Sequence, residues 1–151
     1  MKLEDAIKTG KFTSEKQKAG LNILYTAWWL KTLISQELKE FGLTHEQYNV
    51  LRILKGKHPE KMCVRDIGGR MIERNSNVPR IIDRLVAKKF VDRSTSDIDK
   101  RETVITLTTD GMTVLENANK KVDGLFNSTV LMSEENATEL NFLLENLRTK
   151  E

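Results

Sequence analysis

The sequence predicts a mainly α fold carrying one small β wing. Three observations predict it. Long stretches at both ends repeat apolar residues at helical spacing. Residues 90–108 switch to β-branched near-alternation around a charged turn. Glycines and prolines fall between the periodic stretches, and no repeat, low-complexity tract or linker divides the 151 residues. One unit over residues 1–151 is therefore expected.

The elements follow in chain order. Residues 14–41 form a long helix with Leu21, Leu24, Trp28, Leu30, Leu33, Ile34, Leu38 and Phe41 at helical spacing, opened by a Ser14–Gln17 capping box and closed by Gly42. A second capping box, Thr44 with Gln47, starts the next helix, with Leu43 and Tyr48 placed as a hydrophobic staple. Gly56 and Pro59 stop it. Residues 64–72 make a short helix with Ile67 and Met71 on one face, and residues 75–88 a second with Val78, Ile81, Ile82, Leu85 and Val86 inward. Residues 90–96 and 103–108 pair as a hairpin. Thr108 and Ser133 then cap two further helices within 109–147.

Composition excludes several classes. Hydrophobic residues are 38% and charged residues 31%, a globular mix rather than a disordered one. No apolar run approaches a membrane span, and residues 1–11 lack the apolar stretch of a signal peptide. The single cysteine, Cys63, cannot make an internal disulfide, so the reducing cytoplasm is the expected location. Two histidines and one cysteine without a close cluster argue against a metal centre, and no phosphate-binding loop, nucleophile elbow or Cys–His pair suggests catalysis or a cofactor.

Charge is uneven. Residues 65–101 hold ten Lys or Arg against six Asp or Glu in a chain whose net charge is only +3. A basic middle between near-neutral flanks suits a polyanion. Two short helices joined tightly, the second basic, then a charged hairpin, describe a winged helix-turn-helix between long flanking helices. The second helix fits a DNA major groove, and the first braces it. On that second helix Asn77, Arg80 and Arg84 share a helical spacing, with Asn75 and Ser76 at its start. Arg can grip guanine, Asn adenine, and Ser a base or phosphate. At the hairpin, Arg101 suits the negative minor groove, Asp99 can orient it, and Lys100 and Arg93 add charge.

These residues carry a family resemblance. Residues 64–111 resemble the DNA-binding core of the MarR family of transcription regulators. Arg93 is followed at the family spacing by Asp99-Lys100-Arg101, and Leu107-Thr108-Thr109-Asp110-Gly111 is similar to the motif that leaves the wing. The arrangement extends over residues 14–147. The resemblance implies a homodimer on double-stranded DNA, with residues 14–41 and 109–147 interleaving between subunits and residues 44–108 as the DNA-binding lobe. It also implies a small aromatic or phenolic anion as effector, for which Tyr25, Trp28, Trp29, His45 and Tyr48 are the candidates; packing is the other reading of those aromatics. Three positions depart from the family pattern: Pro79 on the recognition helix, Lys89 where a glycine usually turns into the wing, and Cys63 before the first short helix. Cys63 is read as structural rather than as a redox switch. A winged helix that docks a protein partner instead of DNA stays open as the alternative.

Overall fold

The structure, a computed structural model, describes residues 1–74 and 76–148. It contains helices α1 (Leu3–Ile7), α2 (Glu15–Leu38), α3 (His45–Lys55), α4 (Val64–Gly68), α5 (Val78–Ala87), α6 (Thr109–Thr129) and α7 (Glu134–Leu147). Strands β1 (Met62–Cys63), β2 (Val91–Thr95) and β3 (Thr103–Leu107) form one antiparallel sheet in the order β1-β3-β2. Helix α1 and strand β1 were not expected from the sequence. Five and two residues are too short to show a period.

Side-chain caps set the helix starts. Ser14 Oγ accepts the Gln17 N–H at 3.1 Å, but the Gln17 amide reaches past Ser14 to the Thr13 N–H at 2.7 Å. The Thr44–Gln47 box forms in both directions, at 3.2 and 3.3 Å. Helix α2 tightens into a single turn of 3-10 helix, Lys39–Phe41, before Gly42 reverses the chain at φ 64°. Ser133 caps α7 through the Asn136 N–H at 3.2 Å.

One core joins the long helices to the lobe. Ile34 and Leu38 of α2, Val50, Leu51 and Leu54 of α3, Ile67 of α4, Ile82 and Leu85 of α5, Val91 and Ile105 of the sheet, and Leu115, Ala118 and Val122 of α6 pack together. Burial of each Val, Leu or Ile side chain among them contributes roughly 1.5–3 kcal/mol. Away from this core the long helices are bare. Helix α7 has no buried residue, and Leu24, Trp28, Leu131, Phe142, Leu143 and Leu147 are exposed.

The passage from α5 through the wing to α6 is closely specified. Lys89 takes the left-handed conformation at φ 61°, so the turn survives without its usual glycine. Its N–H donates to the Val86 carbonyl at 2.9 Å, and the Phe90 N–H to the Leu85 carbonyl at 3.0 Å, closing a Schellman motif. The Thr108 hydroxyl donates to the Lys89 carbonyl at 2.8 Å and accepts the Gly111 N–H at 2.9 Å. The Thr108 N–H donates to the Phe90 carbonyl at 3.1 Å. Gly111 lies against that same carbonyl, so a Cβ there would stand 1.9 Å from Phe90 O.

A left-handed conformation costs a residue with a Cβ about 1–2 kcal/mol, partly offset by the unfolded-state entropy that glycine adds. Lys89→Gly should therefore raise stability by roughly 0.5–1 kcal/mol, read as a higher midpoint in urea. A midpoint equal to or below that of the unaltered chain would contradict the assignment of strain to Lys89.

Candidate functional site

Helix α5 begins later than its apolar period suggests. Asn77 is its N-cap: Oδ1 accepts the Arg80 N–H at 3.2 Å, and Val78 and Pro79 form the first turn, where a missing proline N–H costs nothing. Ser76 therefore precedes the helix, and Asn77 has its carbonyl oxygen committed to the cap. This corrects the placement of Ser76 and Asn77 on one helical face. Asn75 lies outside the described residues.

The structure nonetheless brings Ser76, Asn77, Arg80 and Arg84 together. They line one wall of an open cleft of about 360 Å³, facing Thr44, Glu46 and Gln47 at the start of α3. Arg80 and Arg84 are exposed, while Ile82 and Leu85 on the other side of α5 are fully buried. The Ser76 hydroxyl oxygen is buried and has no hydrogen-bond partner among the described residues.

Arg93 differs from its neighbours. Its guanidinium pairs with the Asp83 carboxylate, which fastens β2 to α5. At the other end of the hairpin Arg101 is 92% exposed along its side chain. Asp99 Oδ1 accepts the Arg101 N–H at 3.0 Å and its Nε–H at 3.4 Å. Lys100 is exposed beside it. The basic groups are thus of two kinds, some presented outward and some tying the lobe together.

Two ties were not legible in the sequence. Lys88, at the end of α5, donates to the Gly42 carbonyl and, at 2.8 Å, to Gln47 Oε1. Its burial, with Arg84 nearby, lowers the pKa of its ammonium. Lys31 of α2 donates to Glu73 at 2.5 Å and lies 3.3 Å from Glu46. It links a long flanking helix to both α3 and the turn before α5. Pairing with Glu73 raises its pKa. In sequence both lysines read as ordinary surface charge. The donor atoms of His45, Glu46 and Glu73 lie within 4.8 Å of one another, but the Lys31 ammonium already serves this cluster as its cation. Burial, then Lys31, lowers the His45 pKa.

The five aromatic-site candidates do not converge. Tyr25 and Trp29 line a cleft of about 250 Å³ with the α1 end of the chain. Trp28, whose ring centroid is 5.5 Å from that of Tyr25, lines a separate groove of about 410 Å³ with Lys31, Thr32, Ser35, Gln36 and Lys39. Tyr48 is buried, donates to Asn119 Oδ1 at 2.7 Å and stacks beneath Arg52. It is a core residue. His45 belongs to the Lys31 cluster.

A recognition helix, a bracing α4 and a three-stranded wing set on long flanking helices define the MarR-type winged helix-turn-helix fold. The solved structures agree. The S. aureus MepR–DNA complex superposes with a TM-score of 0.79 at 22% identity, covering 93% of this chain and 100% of that one. AbsC, a MarR family transcriptional regulator from Streptomyces coelicolor, gives 0.79 at 21% identity, covering 93% and 97%. Bordetella bronchiseptica BpsR, whose DNA binding is regulated by 6-hydroxynicotinic acid, gives 0.75 at 21% identity, covering 86% and 98%. The chain belongs to the transcriptional regulator SarA/Rot family, whose pattern matches residues 32–118. That places it among transcription regulators, not enzymes. No curated protein matches it. No helix among the described residues is long and apolar enough to cross a membrane.

Cys63 caps α4, its sulfur accepting the Asp66 N–H at 3.4 Å. Burial raises its thiol pKa, which disfavours the reactive thiolate. Native protein at pH 8 should alkylate with iodoacetamide at least about tenfold more slowly than urea-unfolded protein. Equal rates, followed by mass spectrometry, would contradict the structural role.

Proposed function

We propose that this chain is a sequence-specific DNA-binding transcription regulator, acting as a cytoplasmic homodimer on a pseudo-palindromic operator. The observation that carries the reading is the pairing of an exposed α5 edge (Asn77, Arg80, Arg84) with a wing tip that holds Arg101 outward on Asp99. Arg80 and Arg84 are exposed and can reach base edges in the major groove. Arg101 fits the narrow minor groove, and Lys100 a phosphate. Arg93 acts indirectly, by holding the wing against α5.

The dimer is supported by the bare apolar surface of α2, α6 and α7. A second copy would cover Leu24, Phe126, Leu140 and Leu143 and set two α5 helices for successive major grooves. In this reading residues 1–151 act as one unit, with 14–41 and 109–147 as the dimerisation segments. An effector fits the same frame. The groove beside Trp28, with Lys31 and Lys39 on its rim, suits an aromatic anion. A carboxylate there would compete with Glu73 for Lys31 and so disturb the approach to α5. MepR, solved with DNA, and BpsR, whose DNA binding is regulated by 6-hydroxynicotinic acid, lend both parts support.

The test is a salt titration on duplexes selected from a random pool. Two subunits placing about four cations each on phosphates give a log–log slope near −7. Sedimentation should show two chains per operator. Arg80→Ala should flatten base preference at one or two positions per half-site, costing about 1–3 kcal/mol. Arg101→Ala should weaken binding across all sequences and remove any preference for A·T-rich flanks. A slope near zero would favour the protein-docking alternative. Binding by Arg101→Ala equal to the unaltered protein would remove the wing from the interface.

A further inference from the structure

We propose that Ile98 is a DNA-contacting residue, an apolar knob that packs against the deoxyribose walls of the minor groove when the wing engages. This rests on the DNA reading above and adds a contact to it. Ile98 is 99% exposed, the most exposed large apolar side chain among the described residues. Its neighbours from Asp97 to Glu102 are otherwise all charged, so nothing at the tip offers it packing.

The tip around it is built rather than loose. Ser96 is buried, and its Oγ accepts the Ile98 N–H at 3.2 Å and the Asp99 N–H at 3.3 Å. The Ser96 N–H donates to the Glu102 carbonyl, and the Glu102 N–H to the Asp99 carbonyl, each at 2.9 Å. With Asp99 holding Arg101, the turn fixes Ile98 and Arg101 three residues apart on one hydrogen-bonded frame. A β-branched side chain loses little freedom when it docks, because χ1 is already restricted. Both aspartates beside it have partners: Asp97 lies 3.6 Å from Lys61, and Asp99 binds Arg101. Repulsion from phosphates is reduced accordingly. An arginine that reads groove potential and an isoleucine that fills against sugar C–H groups are complementary contacts to one narrow groove.

Charge separates the two. Losing Arg101 removes a cation from each subunit and so reduces the salt slope by about two units, whereas losing Ile98 removes only apolar contact. The experiment uses the full chain and the duplex it selects, with anisotropy titrations at several salt concentrations. Ile98→Ala should bind about tenfold more weakly, the scale expected for losing a buried aliphatic contact, with an unchanged salt slope. Ile98→Leu should retain most of the affinity. Ile98→Ala binding within about twofold of the unaltered protein, or a changed slope, overturns the proposal. If Arg101→Ala weakens binding in the same series, that failure belongs to Ile98 alone. If the unaltered chain binds no duplex, the DNA reading itself fails and takes this contact with it.

Discussion

The carbonyl oxygen of Phe90 is the point on which the winged helix-turn-helix half of the chain depends. It accepts the Thr108 N–H, it caps the space beside Gly111, and it follows directly from the left-handed turn at Lys89. Three elements meet there: the end of α5, the root of the wing and the start of α6. A recognition helix reads bases only if its angle to the rest of the protein is fixed, and a wing adds information only if its reach is fixed relative to that helix. One carbonyl that serves three elements fixes both. The Schellman bonds of α5 and the double use of the Thr108 hydroxyl secure it from either side.

Around this junction the cations divide by task. Lys88 joins α5 to the start of α3, Lys31 joins α2 to Glu46 and Glu73, and Arg93 joins the wing to α5. Arg80, Arg84 and Arg101 remain outward. The pairs at Lys31 and Arg93 are partly exposed and screened by salt, so each adds little stability by itself. Their value is directional: they hold the lobe at set angles to the long helices. The tie at Lys31 also joins the flanking helix to Glu73, in the turn before α5.

Much of this was legible in the sequence, for local reasons. The capping residues Ser14, Thr44, Thr108 and Ser133 act within three residues of themselves, so spacing alone reveals them. The period change at the wing is equally local. What spacing could not show was the competition for a side chain. Asn77 sits at a helical interval from Arg80, yet the first turn at Val78 and Pro79 makes it a cap, and its carbonyl oxygen goes to the backbone. Arg93 is ten residues from Asp83, across a helix–strand turn, a distance at which sequence carries no pairing signal. The aromatics near α2 cluster in sequence but divide between two grooves and the core, because neighbouring positions on a helix point in different directions.

The most direct test of this account is Gly111→Ala, followed by urea denaturation and by duplex binding under conditions where the protein stays folded. A methyl group 1.9 Å from the Phe90 carbonyl cannot be accommodated unless α6 and the wing root separate. The account predicts a loss of at least about 3 kcal/mol of stability, in the range of severe overpacking, and a weakened grip on DNA in whatever fraction remains folded. A Gly111→Ala chain as stable as the original, binding the same duplex with the same affinity, would contradict it.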